Sequence, residues 1–501
     1  MPKGKVGGVG DVIRDLPVAL ADLEWQPTVI TPAYGIFGGL PGARLVTTMS
    51  VDFAGAKQQV QVFAIPGPDP RVTQIVFEHA LFSPQGAGRI YCDDSADRPF
   101  ATDASKFALF SAAAATYISG MDDKPDVVHL HDWHTGLYCA LRAFDPGYSN
   151  LQQIRTVYTI HNLAMQGIRP LDADESSLQS WFPGLDYDPA ALVDPRYANC
   201  VNPMRAAIRL ADKVNTVSAT YAEEILRPND PVHGFEGGEG LEGDLQSVAD
   251  DGRLAGILNG CTYEKRDRRR PGWRRLLNTI EEELQTWREQ GGRNAWIHEL
   301  ALERLHALPG RRPTNVLTSI GRLTSQKTGL FLTGDKQGQT SLENILHDLG
   351  NKGCLIMLGS GDSMLEQQVA EIADKTGKLI FLCGFSETFA EMLYKAGDLF
   401  LMPSTFEPCG ISQMLAMRAG QPCVVHAVGG LKDTVKNNVD GFSFGGDSPA
   451  IQARNFAAVV RLALQMKADA PDRWMRIRDR ASSARFTWET SAKQYVRDVY
   501  V

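Results

Sequence analysis

A turn followed by a helix start stands out near the end of the chain: Pro403-Ser404-Thr405-Phe406-Glu407-Pro408-Cys409-Gly410, and then Val428-Gly429-Gly430-Leu431-Lys432-Asp433-Thr434. The first part places one carboxylate, Glu407, in a turn directly after an apolar run. The second part places Gly429 and Gly430 where a predicted strand gives way to a helix. Backbone N–H groups at a glycine-opened helix start bind phosphate, and a carboxylate beside them suits sugar hydroxyls. Because proline and glycine also punctuate ordinary turns, either part alone is equally compatible with a structural role.

Short apolar runs alternate with helical patterns through most of the chain. They span residues 126–130, 156–160, 213–217 and 254–258 in the first half, and 315–320, 354–358, 379–382, 399–402 and 423–425 in the second. Short apolar runs bounded by polar residues or glycine are typical of strands that are covered on both faces. The alternation predicts an α/β fold with doubly wound parallel sheets and ligands at the carboxyl ends of the strands.

The strand signals predict how the chain divides into domains. We expect an N-terminal Rossmann-like domain over residues 1–262, in which short β-like runs at 44–80 form a β-meander. Residues 263–312 are charged and helical, and we interpret them as a linker or insert. A second Rossmann-like domain is expected over 313–470, with C-terminal helices over 471–501 that pack back on the body of the protein.

Composition excludes several classes of protein. The net charge of −8 over 501 residues disfavours nucleic-acid binding, and the basic run Lys265–Arg270 is interpreted as a solvated linker. Eight scattered cysteines without a CxxC pair favour a reducing compartment. No apolar run approaches the ~20 residues of a membrane span. We therefore expect a cytoplasmic protein with neither nucleic acid nor membrane as a partner; the sequence does not indicate its oligomeric state.

Several strand ends carry groups that suggest a metal site. The run His129-Leu130-His131-Asp132-Trp133-His134 has the right residue types, but Trp133 stands where binuclear metallohydrolases need an aspartate. The pairs Asp172/Asp174 and Asp186/Asp188 mimic the DxD motif of metal-dependent sugar transferases, yet both lie in polar segments typical of surface loops. We expect no metal, and we interpret the histidine run as a loop that lines a cleft, together with His161 and Asn162 after the next strand.

Two cations follow the strand at 315–320. Arg322 and Lys327 lie five residues apart, and two fixed cations suit a leaving diphosphate because they offset the charge that develops on it. A glycine-rich loop with one cation, Lys5-Val6-Gly7-Gly8, precedes the first predicted helix and suits a phosphate in the same way.

Together these stretches resemble the bacterial and plant glycogen (starch) synthases, retaining GT-B glucosyltransferases of family 5 that use ADP-glucose. The matches, in order, are KVGGVGDV (5–12), HLHDWHTG (129–136), YTIHNLAMQG (158–167), VNTVSATYAEEI (214–225), GILNG (256–260), SIGRLTSQK (319–327), LGSGD (358–362) and STFEPCGISQMLAMRAGQP through GGLKDTV (404–435). Eight collinear matches are far more specific than any single motif.

The resemblance implies two domains that face each other across a cleft and a role for each matched position. It implies that the catalytic residues are Glu407, His161, Asp132, Arg322 and Lys327. It implies that the donor-binding residues are Lys5, Gly7, Gly8, Asn259, Arg322, Lys327, Gly429, Gly430 and Thr434, and that the acceptor-binding residues are Tyr91 and Gln166. The implied reaction transfers glucose from ADP-glucose to the non-reducing end of an α-1,4-glucan with retained configuration, without a metal or other cofactor.

Some positions depart from the family pattern. The family has a strand before its glycine-rich loop, and here only Met1–Gly4 precede the loop. We therefore expect that the true chain starts upstream, and a plastid is the alternative location if the upstream segment carries an address. The usual Ile-Asp after Asn-Gly is Cys261-Thr262, and residues 227–253 are longer and more acidic than expected. Two alternatives therefore stay open: a catalytically weak paralogue that binds glucan or nucleotide, and a glucosyltransferase that uses UDP-glucose or a small acceptor.

Overall fold

The computed structural model describes residues 7–263 and 270–501. Its strands are β1 (Thr28–Pro32), β2 (Arg44–Phe53), β3 (Ala56–Ile65), β4 (Thr73–Glu78), β5 (Val127–His131), β6 (Arg155–Ile160), β7 (Arg169–Pro170), β8 (Cys200–Val201), β9 (Lys213–Thr216), β10 (Leu254–Gly256), β11 (Asn315–Ile320), β12 (Gly353–Leu358), β13 (Leu379–Leu382), β14 (Leu399–Met402), β15 (Cys423–His426) and β16 (Phe442–Phe444). The buried strands predicted from apolar runs are confirmed, and the last run of the first half ends two residues earlier than predicted.

The α-helices are α1 (Gly8–Ala21), α2 (Ala101–Ser119), α3 (Leu137–Phe144), α4 (Leu178–Trp181), α5 (Pro189–Leu192), α6 (Pro203–Leu210), α7 (Ala219–Glu224), α8 (Glu242–Asp250), α9 (Trp273–Glu289), α10 (Ala295–His306), α11 (Ser325–Leu332), α12 (Ser341–Leu349), α13 (Ser363–Thr376), α14 (Glu387–Ala396), α15 (Ser412–Arg418), α16 (Gly429–Thr434), α17 (Pro449–Asp469), α18 (Pro471–Ser483) and α19 (Trp488–Tyr495). A π-helical turn, Val496–Tyr500, follows α19. None of the helices in the described ranges is long and apolar enough to cross a membrane.

The chain forms two compact units. The first unit comprises Met1–Pro228, Gly237–Gly260 and Thr487–Val501, and the second comprises Asn229–Glu236 and Cys261–Phe486. The short segment Asn229–Glu236 therefore belongs to the second unit, although it lies inside the predicted first domain 1–262. After this segment and a return to the first unit, the chain passes to the second unit at Cys261, close to the predicted boundary at 262. The segment 263–312, which we predicted to be a separate linker, contributes α9 and α10 to the core of the second unit. The C-terminal helices divide, since α18 belongs to the second unit and α19 to the first.

The first unit contains a parallel sheet with the order β10-β9-β6-β5 and a second sheet with the order β1-β4-β3-β2. In the second sheet β2, β3 and β4 pair antiparallel, which confirms the predicted β-meander, while β1 pairs parallel to β4. Helices α2, α3 and α6 share one hydrophobic cluster with both sheets, in which Phe77 of β4, Phe110 of α2 and Tyr158 of β6 are members. The parallel strands end together, so the loops after β5 and β6 lie side by side.

The second unit is built on one parallel sheet with the order β13-β12-β11-β14-β15-β16. Successive residues of its strands enter different clusters: Leu355 and Phe381 pack with α11, α12, α13 and α17, whereas Ile356 and Ile380 pack with α9 and α14. Helices therefore cover both faces of the sheet. The strand order reverses between β11 and β14, and this switch point is where ligands bind in open α/β sheets. The loops that leave these two strands carry Arg322 and Glu407.

One buried carboxylate ties the sheet of the second unit to its helices. Asp398, which precedes β14 and is 4% exposed, contacts Arg270 at 3.0 Å, Arg312 at 2.9 Å and Lys467 at 3.0 Å. It also accepts a hydrogen bond from the Val316 amide at 2.9 Å. The solvated-linker interpretation is therefore wrong for Arg270; the preceding residues 264–269 lie outside the described residues. Burial alone would raise the pKa of Asp398, but Lys467 and Arg312 hold it below its ordinary value.

We predict that Asp398→Asn lowers the free energy of unfolding by about 3 kcal/mol at pH 7, because three cations lose a buried counter-charge. Since the folded-state pKa of Asp398 is depressed, its contribution is present above pH 4 and is lost as the pH falls through the folded-state pKa. The free energies of unfolding of the wild type and the variant should therefore become similar in acid. Urea unfolding at several pH values measures this difference.

The matched control is Glu299→Gln, which removes an exposed ion pair with Arg288 in the same unit. This change should cost less than about 1 kcal/mol. If Asp398→Asn were as mild as the control, the cation cluster would not stabilise the sheet.

Candidate functional site

Glu407 and Lys327 form an ion pair at the switch point of the second unit. The Lys327 ammonium on α11 donates a hydrogen bond to Glu407 Oε2, and the Ser404 hydroxyl donates to the same oxygen at 2.9 Å. Glu407 is 6% exposed, so its carboxylate is held by these two groups with little access to solvent. The structure thus brings together two of the predicted catalytic residues, and it adds Ser404, which the sequence analysis did not single out.

The turn that carries Glu407 is tied to its neighbours through backbone groups. The Thr405 amide donates to the Gln326 carbonyl at 2.8 Å, and the Gln326 side chain donates to the Phe406 carbonyl at 2.9 Å. His426 Nδ1 donates to the Ser404 carbonyl at 3.0 Å. These bonds fix the turn between α11 and the end of β15, so the position of the carboxylate is set by the fold.

The glycine pair allows α16 to pack directly on this turn. A Cβ atom on Gly430 would lie 2.2 Å from the Cys409 carbonyl oxygen, and the Gly430 amide donates to the Glu407 carbonyl at 3.0 Å. Gly429 has a φ of 41°, a conformation that favours glycine. Thr434 is 1% exposed and its hydroxyl donates to the Gly430 carbonyl at 2.6 Å, inside the helix. The donor-binding roles of these three residues stay predictions.

Arg322 lies in the loop between β11 and α11, where its side chain is exposed and lines a small pocket with Lys327 and Ser404. This loop packs against the loop after β12, which contains the LGSGD motif. A Cβ atom on Gly359 would lie 1.9 Å from the Gly321 carbonyl oxygen, and one on Gly361 would lie 2.3 Å from the Leu323 carbonyl oxygen. The glycines of this motif are therefore explained by packing, because they allow the backbones of the two loops to touch.

In the first unit, Asp132 follows β5 in an unusual backbone conformation. Its φ is 53°, a value that is uncommon for residues other than glycine. Its carboxylate accepts a hydrogen bond from the His161 amide at 2.7 Å, and the side chain is 7% exposed. Burial raises the pKa of Asp132 to about 7, although the amides of His161 and Asn162 oppose the shift. Asp132 and His161 were predicted at one sheet edge, and the structure shows in addition that they are in contact.

Three histidines beside Asp132 form a stack. The rings of His129 and His131 lie 4.2 Å apart, and His131 Nδ1 is 3.1 Å from His161 Nε2. Burial lowers the pKa of His131 to about 4, and burial lowers the pKa of His161 well below its ordinary value, so both are neutral at pH 7. Within residues 7–263 and 270–501, no group of histidine, cysteine or carboxylate side chains has an arrangement suited to a metal ion.

The predicted acceptor residue Tyr91 lies on a loop that a buried ion pair holds in place. Lys106 contacts Asp103 at 2.7 Å and donates to the Ile90 carbonyl at 2.6 Å, and Asp103 accepts from the Cys92 amide at 3.0 Å. Tyr91 itself is 37% exposed, with its hydroxyl 2.9 Å from His134 Nε2. The ion pair thus fixes the loop on both sides of Tyr91. The sequence analysis did not predict this role for Lys106 and Asp103 of α2.

Two further predicted residues, Gln166 and Asn259, differ in their hydrogen-bond partners. The Gln166 amide donates to the Leu163 and Glu239 carbonyls and accepts from Arg196 and Asn202, so protein groups occupy it fully; its acceptor-binding role stays a prediction. Asn259 is 4% exposed, and its Oδ1 has no hydrogen-bond partner in the described part of the chain.

Of the glycine-rich loop, Gly7 and Gly8 form the start of α1, with Gly7 at a φ of 74°. Lys5 lies outside the described residues.

Family models match two long stretches of the chain. The family described as "Starch synthase catalytic domain" matches residues 1–247, and "Glycosyl transferases group 1" matches residues 315–462. Glycogen synthase of Desulfitobacterium hafniense is 31% identical over 510 residues, which cover 100% of this chain and 96% of the relative. Glycogen synthase of Streptococcus sanguinis is 33% identical, with 100% and 97% covered.

A solved structure, the catalytic domain of starch synthase IV from Arabidopsis thaliana bound to ADP and acarbose, is similar along its whole length. Its TM-score is 0.75 at 26% identity, with 100% of this chain and 96% of that chain covered. Full-length likeness at this level extends across both units and includes every stretch that carries a candidate residue. The chain belongs to the glycogen (starch) synthase family of GT-B glycosyltransferases.

Proposed function

We propose that the protein transfers glucose from ADP-glucose to the non-reducing end of an α-1,4-glucan, with retained configuration at the anomeric carbon. As a member of the glycogen synthase family it is a hexosyltransferase. The observation that carries the proposal is the Lys327–Glu407 ion pair beside Arg322 at the switch point of the second unit. The ADP and acarbose bound to the similar starch synthase domain support a nucleotide donor and a glucan acceptor.

In this reaction the bond between the anomeric carbon and the diphosphate breaks while the 4-hydroxyl oxygen of the acceptor forms a new bond to that carbon. The hydroxyl proton passes to the departing diphosphate on the same face of the sugar. Negative charge grows on the diphosphate, and fixed cations stabilise that charge most strongly where water is excluded. Lys327 and Arg322 are the cations we assign to this task, and the proposed reaction needs no metal ion.

The ion pair gives Glu407 and Lys327 linked roles. Without a donor, Glu407 satisfies the Lys327 ammonium. A diphosphate that binds Lys327 competes with Glu407 for the same cation, and the carboxylate is then free to face the sugar, where positive charge develops in the transition state. Ser404 keeps its hydrogen bond to the carboxylate throughout, which holds Glu407 in place when the ammonium leaves.

The first unit offers groups suited to sugar hydroxyls. Asn259 supplies a buried oxygen that has no hydrogen-bond partner among the described residues, and His161 supplies a neutral imidazole that is held by His131 and the Asp132 loop. Tyr91 presents an exposed ring, a feature common where proteins bind sugars through flat apolar faces. We assign Asn259 and His161 to the donor glucose and Tyr91 to the acceptor.

In the described residues, which include all eight cysteines, no two cysteines form a disulfide, and this supports our placing the reaction in a reducing compartment such as the cytoplasm.

We predict that the wild-type protein elongates glycogen from radiolabelled ADP-glucose and that Glu407→Ala lowers turnover at least ~100-fold, the order lost when one preorganised electrostatic contact is removed. Incorporation of label into precipitable glucan measures both. The control is Glu371→Gln, an exposed carboxylate on α13 of the same unit, which should retain wild-type turnover. Near-wild-type turnover of Glu407→Ala would remove Glu407 from the catalytic residues, and a wild type that prefers UDP-glucose would contradict the proposed donor.

The raised pKa of Asp132 predicts a pH-dependent stability. With a folded-state pKa of about 7 and an unfolded value near 3.8, the folded protein retains a proton that the unfolded chain releases. The folded state therefore loses stability as the pH rises from 4 to 7, and the loss is complete above 7. Asp132→Asn removes this effect and keeps an acceptor for the His161 amide. The free energy of unfolding of the variant, relative to that of the wild type, should therefore rise by on the order of 4 kcal/mol between pH 4 and pH 8.

Urea unfolding of both proteins over this pH range provides the measurement, and the contributions of the histidines cancel because they are common to both. A difference between the two proteins that stays constant with pH would show that Asp132 is ionised in the folded state.

A further inference from the structure

The π-helical turn that follows α19 packs two tyrosines on one histidine. The rings of Tyr495 and Tyr500 lie 5.4 Å and 5.6 Å from the ring of His129, and 5.9 Å from each other. In an α-helix, residues five apart point in well-separated directions, whereas the wider π turn brings them to the same side. The turn is therefore what allows both tyrosines to reach His129.

A hydrogen-bond chain starts at Tyr500 and runs into the sheet. Its hydroxyl lies 2.8 Å from His129 Nδ1, and His129 Nε2 lies 2.6 Å from the Thr159 hydroxyl. The Thr159 hydroxyl donates to Asn215 Oδ1 at 2.7 Å, and the Asn215 amide donates to the Tyr495 hydroxyl at 3.3 Å. Both ends of this hydrogen-bond chain are thus tyrosines of the same helical segment.

The donor-to-acceptor direction of these hydrogen bonds fixes the tautomer of His129. Thr159 has one hydroxyl proton, and Asn215 accepts it, so the Thr159 oxygen can only accept from His129 Nε2–H. A neutral imidazole that is protonated at Nε2 has a lone pair at Nδ1, and the Tyr500 hydroxyl must donate to it. Burial lowers the pKa of His129 well below its ordinary value, which agrees with a neutral ring.

The orientation of His129 is passed to a residue of the candidate site. The His129 ring lies against the His131 ring at 4.2 Å, with 36° between their planes. His131 Nδ1 in turn lies 3.1 Å from His161 Nε2. Since His131 is confined between His129 and His161, a rotation of His129 would displace the hydrogen bond that orients His161.

We propose that Tyr500 is a positioning residue for glucosyl transfer: by donating to His129 it holds the His129–His131–His161 stack, and so the His161 imidazole, in one orientation. Tyr495 serves the same stack from the other end of the chain, through Asn215 and Thr159. This inference rests on the proposed function, in which His161 contacts the donor glucose. Tyr500 touches no reacting group itself.

The test is Tyr500→Phe, which removes the hydroxyl and keeps the ring. We expect kcat with ADP-glucose and glycogen to fall roughly tenfold, because a small misplacement of a positioned group slows the chemical step. The KM for glycogen should change less than twofold, because Tyr500 acts through His161, which we assign to the donor glucose and not to the acceptor. The control is Tyr138→Phe, another buried tyrosine of the first unit, whose hydroxyl has no partner in the described residues. Its kcat should equal that of the wild type.

A spectroscopic measurement separates positioning from a general structural effect. ¹⁵N shifts of labelled histidines, assigned with a His129→Gln variant, should show His129 protonated at Nε2 in the wild type and a mixture of tautomers in Tyr500→Phe. Wild-type kcat in Tyr500→Phe, or a wild-type His129 protonated at Nδ1, would overturn the proposal; the second result decides the matter even if the variant does not fold. If the wild type transfers no glucose, the proposed function fails, while the tautomer of His129 still tests the hydrogen-bond chain.

Discussion

The ion pair between Lys327 and Glu407 is the interaction on which the account of the second unit depends. A carboxylate that is 6% exposed is unstable without a counter-charge, and in this structure Lys327 and the Ser404 hydroxyl stabilise it. The same ammonium is the group that we assign to the donor diphosphate. The ammonium therefore has a counter-charge in the described structure, and under this assignment donor binding would exchange one anion for another at Lys327. In the proposed reaction, such an exchange links the binding of the diphosphate to the release of the Glu407 carboxylate toward the sugar.

Close contacts between backbone segments position the loops that carry Glu407 and Arg322. Gly430 lets α16 touch the turn after β14, and Gly359 lets the loop after β12 touch the loop after β11. A side chain at position 430 would push α16 away from the turn that carries Glu407, and one at position 359 would push the loop after β12 away from the loop that carries Arg322. The glycines near the site thus have a definite mechanical role, whether or not their amides also bind phosphate. In the first unit the buried Lys106–Asp103 pair has a similar role for the loop of Tyr91.

Much of this architecture was predictable because buried parallel strands are short apolar runs, and because the ends of such strands gather at one edge of a sheet. That reasoning singled out Glu407, Lys327, Asp132 and His161, and it placed Asp132 and His161 at the same edge of the sheet. Ser404 was missed because one serine in a polar turn carries no distinctive pattern. The positive φ of Asp132 and the internal bonding of Gln166 depend on tertiary contacts that no local pattern encodes. The π-helical turn was equally invisible, since its sequence reads as an ordinary amphipathic helix end.

The most direct test of the exchange at Lys327 is the affinity for ADP, measured by isothermal titration calorimetry, of the wild type and of Glu407→Gln. The glutamine keeps the size of the side chain and its contact with Ser404 but removes the negative charge that competes for the ammonium. The account predicts that Glu407→Gln binds ADP more tightly than the wild type, although the sugar-facing carboxylate is gone. Equal or weaker binding of ADP by the variant would contradict it.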